Sequence, residues 1–162
     1  MKTLQQFISE KAPASKPVFV LVMGGAGVGK NHFISTHPEY KNYKLIDVDA
    51  IKKTGVKEYV NEMKKQLHAA FAKKENVIHP TIGGAISGNV NKLIAAKAAG
   101  YETHVVFLKG TPEAAKARIQ HRVSQGGHGV PDEKIDLTYA RSEAAFPEIS
   151  KHADYHEIKI IH

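Results

Sequence analysis

Cysteine is absent from this chain of 162 residues, which excludes a disulfide framework and any zinc site built on cysteine. No apolar stretch approaches the length of a membrane span, and residues 1–16 lack the apolar region of a secretion signal. Internal repeats, linkers and low-complexity segments are also missing. We therefore expect a single domain over residues 1–162, located in the cytoplasm and large enough to bury its own core.

Aromatic residues are few, at 7%, and Arg occurs only at positions 118, 122 and 141. The net charge of +7 is carried mainly by Lys residues that stand singly or in pairs, never in a long basic run. This charge is compatible with either a nucleic acid or a phosphorylated small substrate as a partner. The missing aromatic and basic clusters disfavour the nucleic acid.

Short apolar segments alternate with amphipathic segments along the chain. Residues 18–23 are apolar without alternation, which is typical of a strand buried on both faces of a parallel sheet. The connections are long enough for right-handed crossovers between parallel strands. The pattern predicts a three-layer α/β fold, with a mainly parallel sheet flanked by helices. The predicted strands are residues 18–23, 44–49, 76–79, 103–108 and 156–161, and the predicted helices are residues 3–12, 31–36, 56–71, 89–99, 111–124 and 132–145.

The helical segments also carry signals for their ends and their buried faces. Asn89 is the candidate N-cap of one helix, and Thr111 with Pro112 begins the next. Ile119 and Val123 stand four residues apart and are predicted to face the core. The apolar stripe predicted to pack on the core after the second strand comprises Val56, Tyr59, Val60, Met63, Leu67, Ala70 and Phe71.

A glycine-rich sequence of the form G-x-x-x-x-G-K lies between the first strand and the first helix. Glycines let the backbone curl so that amide groups point at phosphate oxygens, and the Lys reaches the outer phosphates as a point charge. Asn31 stands where a Ser or Thr hydroxyl usually contacts magnesium, so an amide oxygen replaces that hydroxyl. The candidate nucleotide-binding residues are Gly24, Gly25, Ala26, Gly27, Val28, Gly29, Lys30 and Asn31.

Two carboxylates follow the second predicted strand, at the edge of the sheet where the glycine-rich loop lies. Asp47 and Asp49 are two residues apart, so their side chains point the same way if both lie in the strand. A phosphoryl-transfer enzyme needs a carboxylate to take the proton of the acceptor hydroxyl. We favour Asp49 over Asp47 for this role; the alternative is that one of them caps the next helix or helps to hold magnesium.

Arg118 and Arg122 stand four residues apart and share one face of a helix. Arg122 precedes a glycine-rich turn at residues 125–131, so it could belong to a mobile lid that lowers an Arg over the transferring phosphate. An equally weighted alternative is that both are solvated residues on a surface helix. The sequence alone does not separate these two interpretations.

Residues 122–131, with their Gly-Gly-His-Gly-Val-Pro sequence, resemble the lid of zeta toxin-type P-loop kinases, which are related to phage polynucleotide 5′-kinases and other small ATP-dependent kinases. Further matching segments occur in the order of that family, and the resemblance extends over residues 18–161. These segments are the glycine-rich loop at residues 24–30, residues 49–51, Thr81 with residues 87–89, residues 98–101 and residues 141–142.

The resemblance implies a P-loop kinase fold with a five-stranded parallel sheet, and a lid at about residues 118–138. It also implies transfer of the γ-phosphate of ATP, with Mg²⁺, to a hydroxyl; zeta toxins themselves phosphorylate a UDP-amino sugar. The acceptor could instead be a nucleoside, another small metabolite or a 5′-hydroxyl polynucleotide, and an antitoxin-like protein partner is compatible with the family. The roles that the resemblance implies are phosphate binding for Lys30, the catalytic base for Asp49, acceptor binding for Thr81 and Asn89, and a lid Arg for Arg122, with Lys30, Asp49 and Arg122 as the catalytic residues. We also expect Arg118 and Arg122 to bind the nucleotide and Asn31 and Asp49 to bind the metal. The other expected acceptor-binding residues are Asp47, His128 and Arg141.

Three positions depart from the family pattern. Asn31 replaces the metal-contacting hydroxyl, Thr138 stands where Arg is common, and His79 stands near a position that is often acidic. They motivate an alternative function, an ATP-binding module with weakened catalysis that acts through a protein partner. A nucleic-acid-binding protein with an incidental glycine-rich loop is the least favoured interpretation.

Overall fold

The computed structural model describes residues 3–5 and 16–162. Helix and strand alternate through this part of the chain, as the sequence pattern predicts. The strands are β1 (Val18–Met23), β2 (Lys44–Leu45), β3 (Val77–Thr81), β4 (Glu102–Lys109) and β5 (Tyr155–Ile160). The helices are α1 (Lys30–Ser35), α2 (Val48–Lys53), α3 (Tyr59–Ala72), α4 (Ile86–Ala98), α5 (Pro112–Ser124) and α6 (Asp132–Ser150), with a short 3-10 helix at Pro38–Tyr40.

The five strands form one sheet in the order β2-β3-β1-β4-β5, and all neighbours are parallel. This confirms the predicted α/β fold and makes the sheet entirely parallel. β1 lies between β3 and β4, so the chain first builds one side of the sheet and then the other. The carboxyl end of β1 is therefore the point where the topology reverses, and ligands bind at such points in α/β sheets.

β1 is buried on both faces, as its unbroken apolar sequence predicts. Phe19, Leu21 and Met23 pack into one cluster with α3, α4 and α6. Val20 and Val22 pack into a second cluster on the other face, with Phe33 of α1. The central strand is thus fixed from both sides, and the loop that follows it starts from a rigid support.

The second predicted strand is mostly wrong. β2 comprises only two residues, and the chain turns at Ile46 and enters α2 at Val48. Asp47 and Asp49 are therefore not neighbours on one strand face. Helix α6 also continues to Ser150, beyond the predicted end at Ala145, with Pro147 inside it.

Some predicted core positions are exposed. Val60 on α3 is 44% exposed and Val123 on α5 is 45% exposed, whereas Met63 and Ile119 on the same helices are buried. Val56 precedes α3 and is also exposed. The helical periodicity located α3 and α5 but predicted buried faces that are wider than those observed.

The N-terminal helix predicted at residues 3–12 falls mainly outside the described residues. Leu4 is described, lies in a helical segment and is buried in the cluster that contains Val20 and Phe33. No helix in the described part of the chain combines the length and the apolar character needed to cross a bilayer.

Candidate active site

The glycine-rich loop leaves β1 at Met23 and ends where α1 begins at Lys30. Gly27 has φ of 75° and Gly29 has φ of 105°, a region that residues with side chains rarely adopt. Gly25 requires glycine for a different reason, because a Cβ atom there would lie 2.3 Å from the ring of Tyr139. Gly27 and Gly29 thus allow the left-handed backbone of the loop, and Gly25 allows close packing against Tyr139. Such a tight turn is typical of a phosphate-binding loop.

The loop offers amide groups for anion binding. Val28 N donates to Gly25 O over 3.2 Å and closes the curl. The amides of Gly27 and Gly29 have no hydrogen-bond acceptor among residues 3–5 and 16–162. The first amides of α1 lack carbonyl partners within the helix, as in every helix. Together they form a cradle of donors that suits a chain of phosphates.

Lys30 is held against the same loop. Its Nζ donates to Gly24 O over 2.8 Å and to Gly25 O over 3.2 Å. Burial lowers the pKa of Lys30 to about 8, against the opposing attraction of Asp49 and, more weakly, of Asp47. The ammonium group is therefore fixed beside the cradle with two carboxylates within electrostatic reach.

The two carboxylates occupy different positions. Asp47 is the N-cap of α2, and its Oδ1 accepts a hydrogen bond of 3.0 Å from Asp49 N. The alternative in which one Asp caps the following helix is confirmed for Asp47. Asp49 lies in the first turn of α2, where its side chain is exposed. Asp49 is thus the carboxylate that remains accessible to a ligand.

Helix α6 packs directly on the glycine-rich loop. Ala26 N donates to Thr138 Oγ1 over 3.0 Å, and the Tyr139 ring lies against Gly25. The Thr138 hydroxyl also donates to Ile135 O over 2.8 Å. The position where the family often has Arg is therefore a docking contact between α6 and the loop.

We expect Thr138→Val to lower the free energy of unfolding by about 1 kcal/mol, because the Ala26 amide loses its acceptor while the side-chain shape is kept. Urea unfolding measures this difference. Thr138→Ser retains the hydroxyl and should lose less than Thr138→Val. Equal losses for the two variants would show that the hydroxyl contact contributes nothing.

Arg118 and Arg122, which were predicted to belong to a lid, make separate contacts. Arg118 Nε donates to Gly27 O over 3.0 Å, so α5 reaches the glycine-rich loop. Arg122 donates to His128 O through Nε over 3.3 Å and Nη2 over 3.1 Å. Arg118, and not Arg122, is the residue that the fold places on the loop, while Arg122 and His128 organise the glycine-rich turn.

Thr81 and Arg141 lie near the segment that connects β3 to α4. Gly24 N donates to Thr81 O over 3.3 Å, and Thr81 Oγ1 accepts from Gly83 N over 3.3 Å. The side chain of Arg141 on α6 packs on Gly84, where an added Cβ would lie 3.3 Å from Arg141 Cβ. Both residues therefore border the segment between β3 and α4.

Asn89 is not an N-cap, because α4 begins at Ile86 and Ala85 holds the cap position without a side-chain bond. Asn89 lies inside the helix, is 2% exposed and donates from Nδ2 to Ala85 O over 2.9 Å. Its Oδ1 accepts from Lys92 Nζ over 3.2 Å. The sequence analysis missed Lys92, although its spacing of three residues from Asn89 on a helix was a usable signal.

Oxygen donors for a magnesium ion are few but suitable. No group of three or more His, Cys, Asp or Glu side chains within residues 3–5 and 16–162 could hold a metal by itself. Magnesium normally takes only one or two protein oxygens and completes its shell with water and substrate phosphates. Asn31 and Asp47 both line a cavity of about 530 Å³ beside α1, and Asp49 follows Asp47 in the first turn of α2. These oxygens fit an ion that is held mainly by a nucleotide.

Comparison with known proteins agrees with this geometry. The family model described as Zeta toxin matches residues 31–162. No curated protein gives a significant match. Among solved structures, one described for the PezAT toxin-antitoxin system of Streptococcus pneumoniae has a TM-score of 0.67 and 14% identity, covering 99% of this chain and 79% of that chain.

Two other similar structures are a putative kinase from Chloroflexus aurantiacus and a chain of the Pnkp1/Rnl/Hen1 RNA repair complex. The first has a TM-score of 0.70 and 12% identity, covering 91% of this chain and 86% of that chain. The second has a TM-score of 0.65 and 16% identity, covering 82% of this chain and 46% of that chain. At these identities the likenesses show a P-loop kinase fold. The family match spans most of the sequence, so the chain belongs to the zeta toxin family, and family and fold together support an ATP-dependent phosphotransferase.

Proposed function

We propose that this chain transfers the γ-phosphoryl group of ATP to a hydroxyl group of an acceptor molecule, in the cytoplasm. The observation that carries the proposal is that Lys30 and Asp49 interact electrostatically beside the glycine-rich loop. The loop offers free amides, Lys30 is fixed on its carbonyls, and the exposed Asp49 carboxylate lies within electrostatic reach. Phosphoryl transfer needs little more than such positioning and charge stabilisation.

The phosphates of ATP would lie on the amides of residues 24–31, with Lys30 at the outer phosphates. The Lys30 ammonium is already desolvated and held by two carbonyls, so little reorganisation is needed when negative charge develops on the transferring group. Arg118 and Arg122 would add positive charge from the lid side. Both now bind backbone carbonyls, of Gly27 and His128 respectively, and would exchange these for phosphate oxygens.

Asp49 would act as the general base. The acceptor oxygen forms a bond to the γ-phosphorus, the bond from that phosphorus to the bridging oxygen breaks, and ADP leaves with the electron pair. The proton of the acceptor hydroxyl passes to the Asp49 carboxylate. Asp47 suits this role less well, because its Oδ1 already accepts the Asp49 amide as the cap of α2.

A magnesium ion bound with ATP would neutralise charge on the phosphates. Asn31 and Asp49 are the side chains that would contribute oxygen atoms to it. The amide oxygen of Asn31 is a neutral ligand, like the hydroxyl usually found at this position, so the substitution does not change the charge of the site.

The acceptor would be bound by Thr81, Asn89 and Arg141, which border the segment between β3 and α4, and by Asp47 at the start of α2. His128, in the predicted lid, would also contact it. Membership of the zeta toxin family favours a UDP-amino sugar. A small metabolite or a 5′-hydroxyl polynucleotide is the alternative, and the similarity to a toxin-antitoxin system makes an antitoxin-like protein partner part of this proposal.

A transfer assay tests the proposal. The chain is incubated with γ-³²P-ATP and magnesium against UDP-N-acetylglucosamine, a pool of nucleosides and small metabolites, and a 5′-hydroxyl oligonucleotide. We expect label in one pool, and no label when EDTA removes the metal. Binding of ATP without transfer to any pool and without loss of ATP would contradict a kinase.

A second candidate function is supported by two observations, Asn31 at the metal-contacting position and Thr138 bound to the loop. Here the chain would bind ATP without turnover and act through a protein partner. This function predicts that Asp49→Asn changes neither nucleotide binding nor the interaction with the partner. Loss of measurable transfer in Asp49→Asn, with binding intact, would exclude it.

A further inference from the structure

Lys92 on α4 is a partly buried ammonium group that the proposed mechanism does not use. Its Nζ lies 2.9 Å from His79 Nε2 and 3.2 Å from Asn89 Oδ1. Burial lowers the pKa of Lys92 to about 8, and no carboxylate among the described residues offsets that shift. A positive charge is therefore held partly away from water by two neutral partners.

The orientation of His79 shows that Lys92 is the donor in their contact. His79 Nδ1 lies 2.6 Å from Ile46 O, and a carbonyl can only accept, so Nδ1 carries the ring proton. Nε2 then accepts a hydrogen bond from the Lys92 ammonium group. Burial and the nearby Lys92 lower the pKa of His79 to about 3, so the ring stays neutral. The neutral imidazole therefore positions the ammonium group through a hydrogen bond and does not neutralise its charge.

This ammonium group lies on the side of the sheet where the acceptor residues stand. His79 and Thr81 are two residues apart on β3 and face the same way. Asn89 and Lys92 are three residues apart on α4 and share a face. The Ile46 carbonyl that orients His79 immediately precedes Asp47, at the turn that carries both carboxylates.

Burying an unpaired charge is costly, and a protein normally compensates it with an opposite charge or with full hydrogen bonding. An ammonium group has three donors, and the described residues use two of them. A purely structural link between α4 and β3 needs no charge, because a neutral amide could bridge His79 and Asn89. The combination of a retained charge, a spare donor and a missing counter-ion indicates an anion that comes with a ligand.

We propose that Lys92 selects acceptors that carry a phosphate or carboxylate group in addition to the hydroxyl that is phosphorylated. The inference rests on the proposed function, because the ligand it recognises is the acceptor of that reaction. Lys92 would act as a specificity-determining residue by binding the anionic group, and His79 would act as a positioning residue that aims the ammonium group.

Equilibrium binding of matched charged and neutral probes tests this role. The protein is saturated with a non-hydrolysable ATP analogue and magnesium, and dissociation constants are measured by calorimetry. The probe pairs are UDP-N-acetylglucosamine and N-acetylglucosamine, gluconate and glucose, and adenosine 3′-monophosphate and adenosine. The pair that shows the effect identifies the source of the anionic group.

We expect Lys92→Met and Lys92→Gln to weaken binding of at least one charged probe about tenfold or more, with less than about a twofold effect on its neutral partner. Lys92→Arg keeps the charge and should retain most of the affinity. The control is Lys97→Met on the same helix. Lys97 is exposed and its Nζ lies 3.7 Å from Asp154 Oδ1. This substitution should leave the dissociation constants of all probes unchanged. Urea unfolding confirms that each variant is folded.

Equal weakening of charged and neutral probes in Lys92→Gln would overturn the inference and leave a structural role. Charged probes that bind wild type and Lys92→Gln equally, or that bind neither, would overturn it as well. Phosphoryl transfer by wild type is measured separately. If the charged probe binds through Lys92 but no acceptor is phosphorylated, the proposed kinase function fails and the anion-binding site stands.

Discussion

Lys30→Met is expected to lower phosphoryl transfer about a thousandfold, because it removes the positive charge that meets the transferring phosphate. Hydrogen bonds to Gly24 O and Gly25 O hold the Lys30 ammonium group at one position beside the loop. We expect no other positively charged side chain to occupy that position in the variant. Steady-state kinetics with γ-³²P-ATP and the identified acceptor measure the loss in kcat/KM.

Two comparisons make the Lys30 result specific. Lys30→Arg keeps the charge but should not restore transfer, since a planar guanidinium group cannot occupy the space of a compact ammonium between two carbonyls. The free energy of unfolding of Lys30→Met should equal or exceed that of wild type, because the variant removes a buried charge. Full transfer activity in Lys30→Met would refute phosphate binding by this loop.

Asp49→Asn is expected to lower kcat about a hundredfold to ten-thousandfold by removing the general base. Asn has nearly the shape of Asp but does not take a proton, so the nucleotide should still bind. Calorimetry with the ATP analogue measures binding, and the transfer assay measures kcat.

Asp47→Asn is the matched control for Asp49→Asn. Asn caps a helix about as well as Asp, so the bond from Asp49 N survives the change. Both variants remove one negative charge near Lys30, and they differ in which carboxylate is lost. We expect Asp47→Asn to reduce kcat less than about tenfold. A larger loss in Asp47→Asn than in Asp49→Asn would assign the base to Asp47.

Local signals explain what could be predicted from the sequence. The unbroken apolar run of β1 and the glycines after it specify a buried strand and a tight loop without reference to distant residues. Thr111 and Pro112 begin α5 as predicted, and Thr111 Oγ1 accepts from Ala114 N over 3.2 Å. Each of these features depends on neighbours within a few positions, which is the range that a sequence pattern reports.

The predictions from the sequence were wrong or incomplete where contacts between distant residues determine the structure. Apolar and acidic residues alternate at positions 46–49 as in a strand, yet Asp47 is the N-cap of α2. The contact between Ala26 and Thr138 joins residues 112 positions apart, and the link between Ile46 and His79 spans 33 positions. Neither contact leaves a local trace, so the sequence showed Thr138 and His79 only as departures from the family pattern.

Helix α6 connects the two halves of the candidate site. Thr138 and Tyr139 contact the glycine-rich loop, and Arg141, less than one turn further along α6, packs on Gly84 near the residues proposed to bind the acceptor. Because α6 contacts both the glycine-rich loop and Gly84, a displacement of the helix at one contact also moves its residues at the other. If nucleotide binding displaces α6, the two binding sites are energetically coupled, and this coupling is reciprocal. ATP would then change the affinity for the acceptor by the same factor by which the acceptor changes the affinity for ATP.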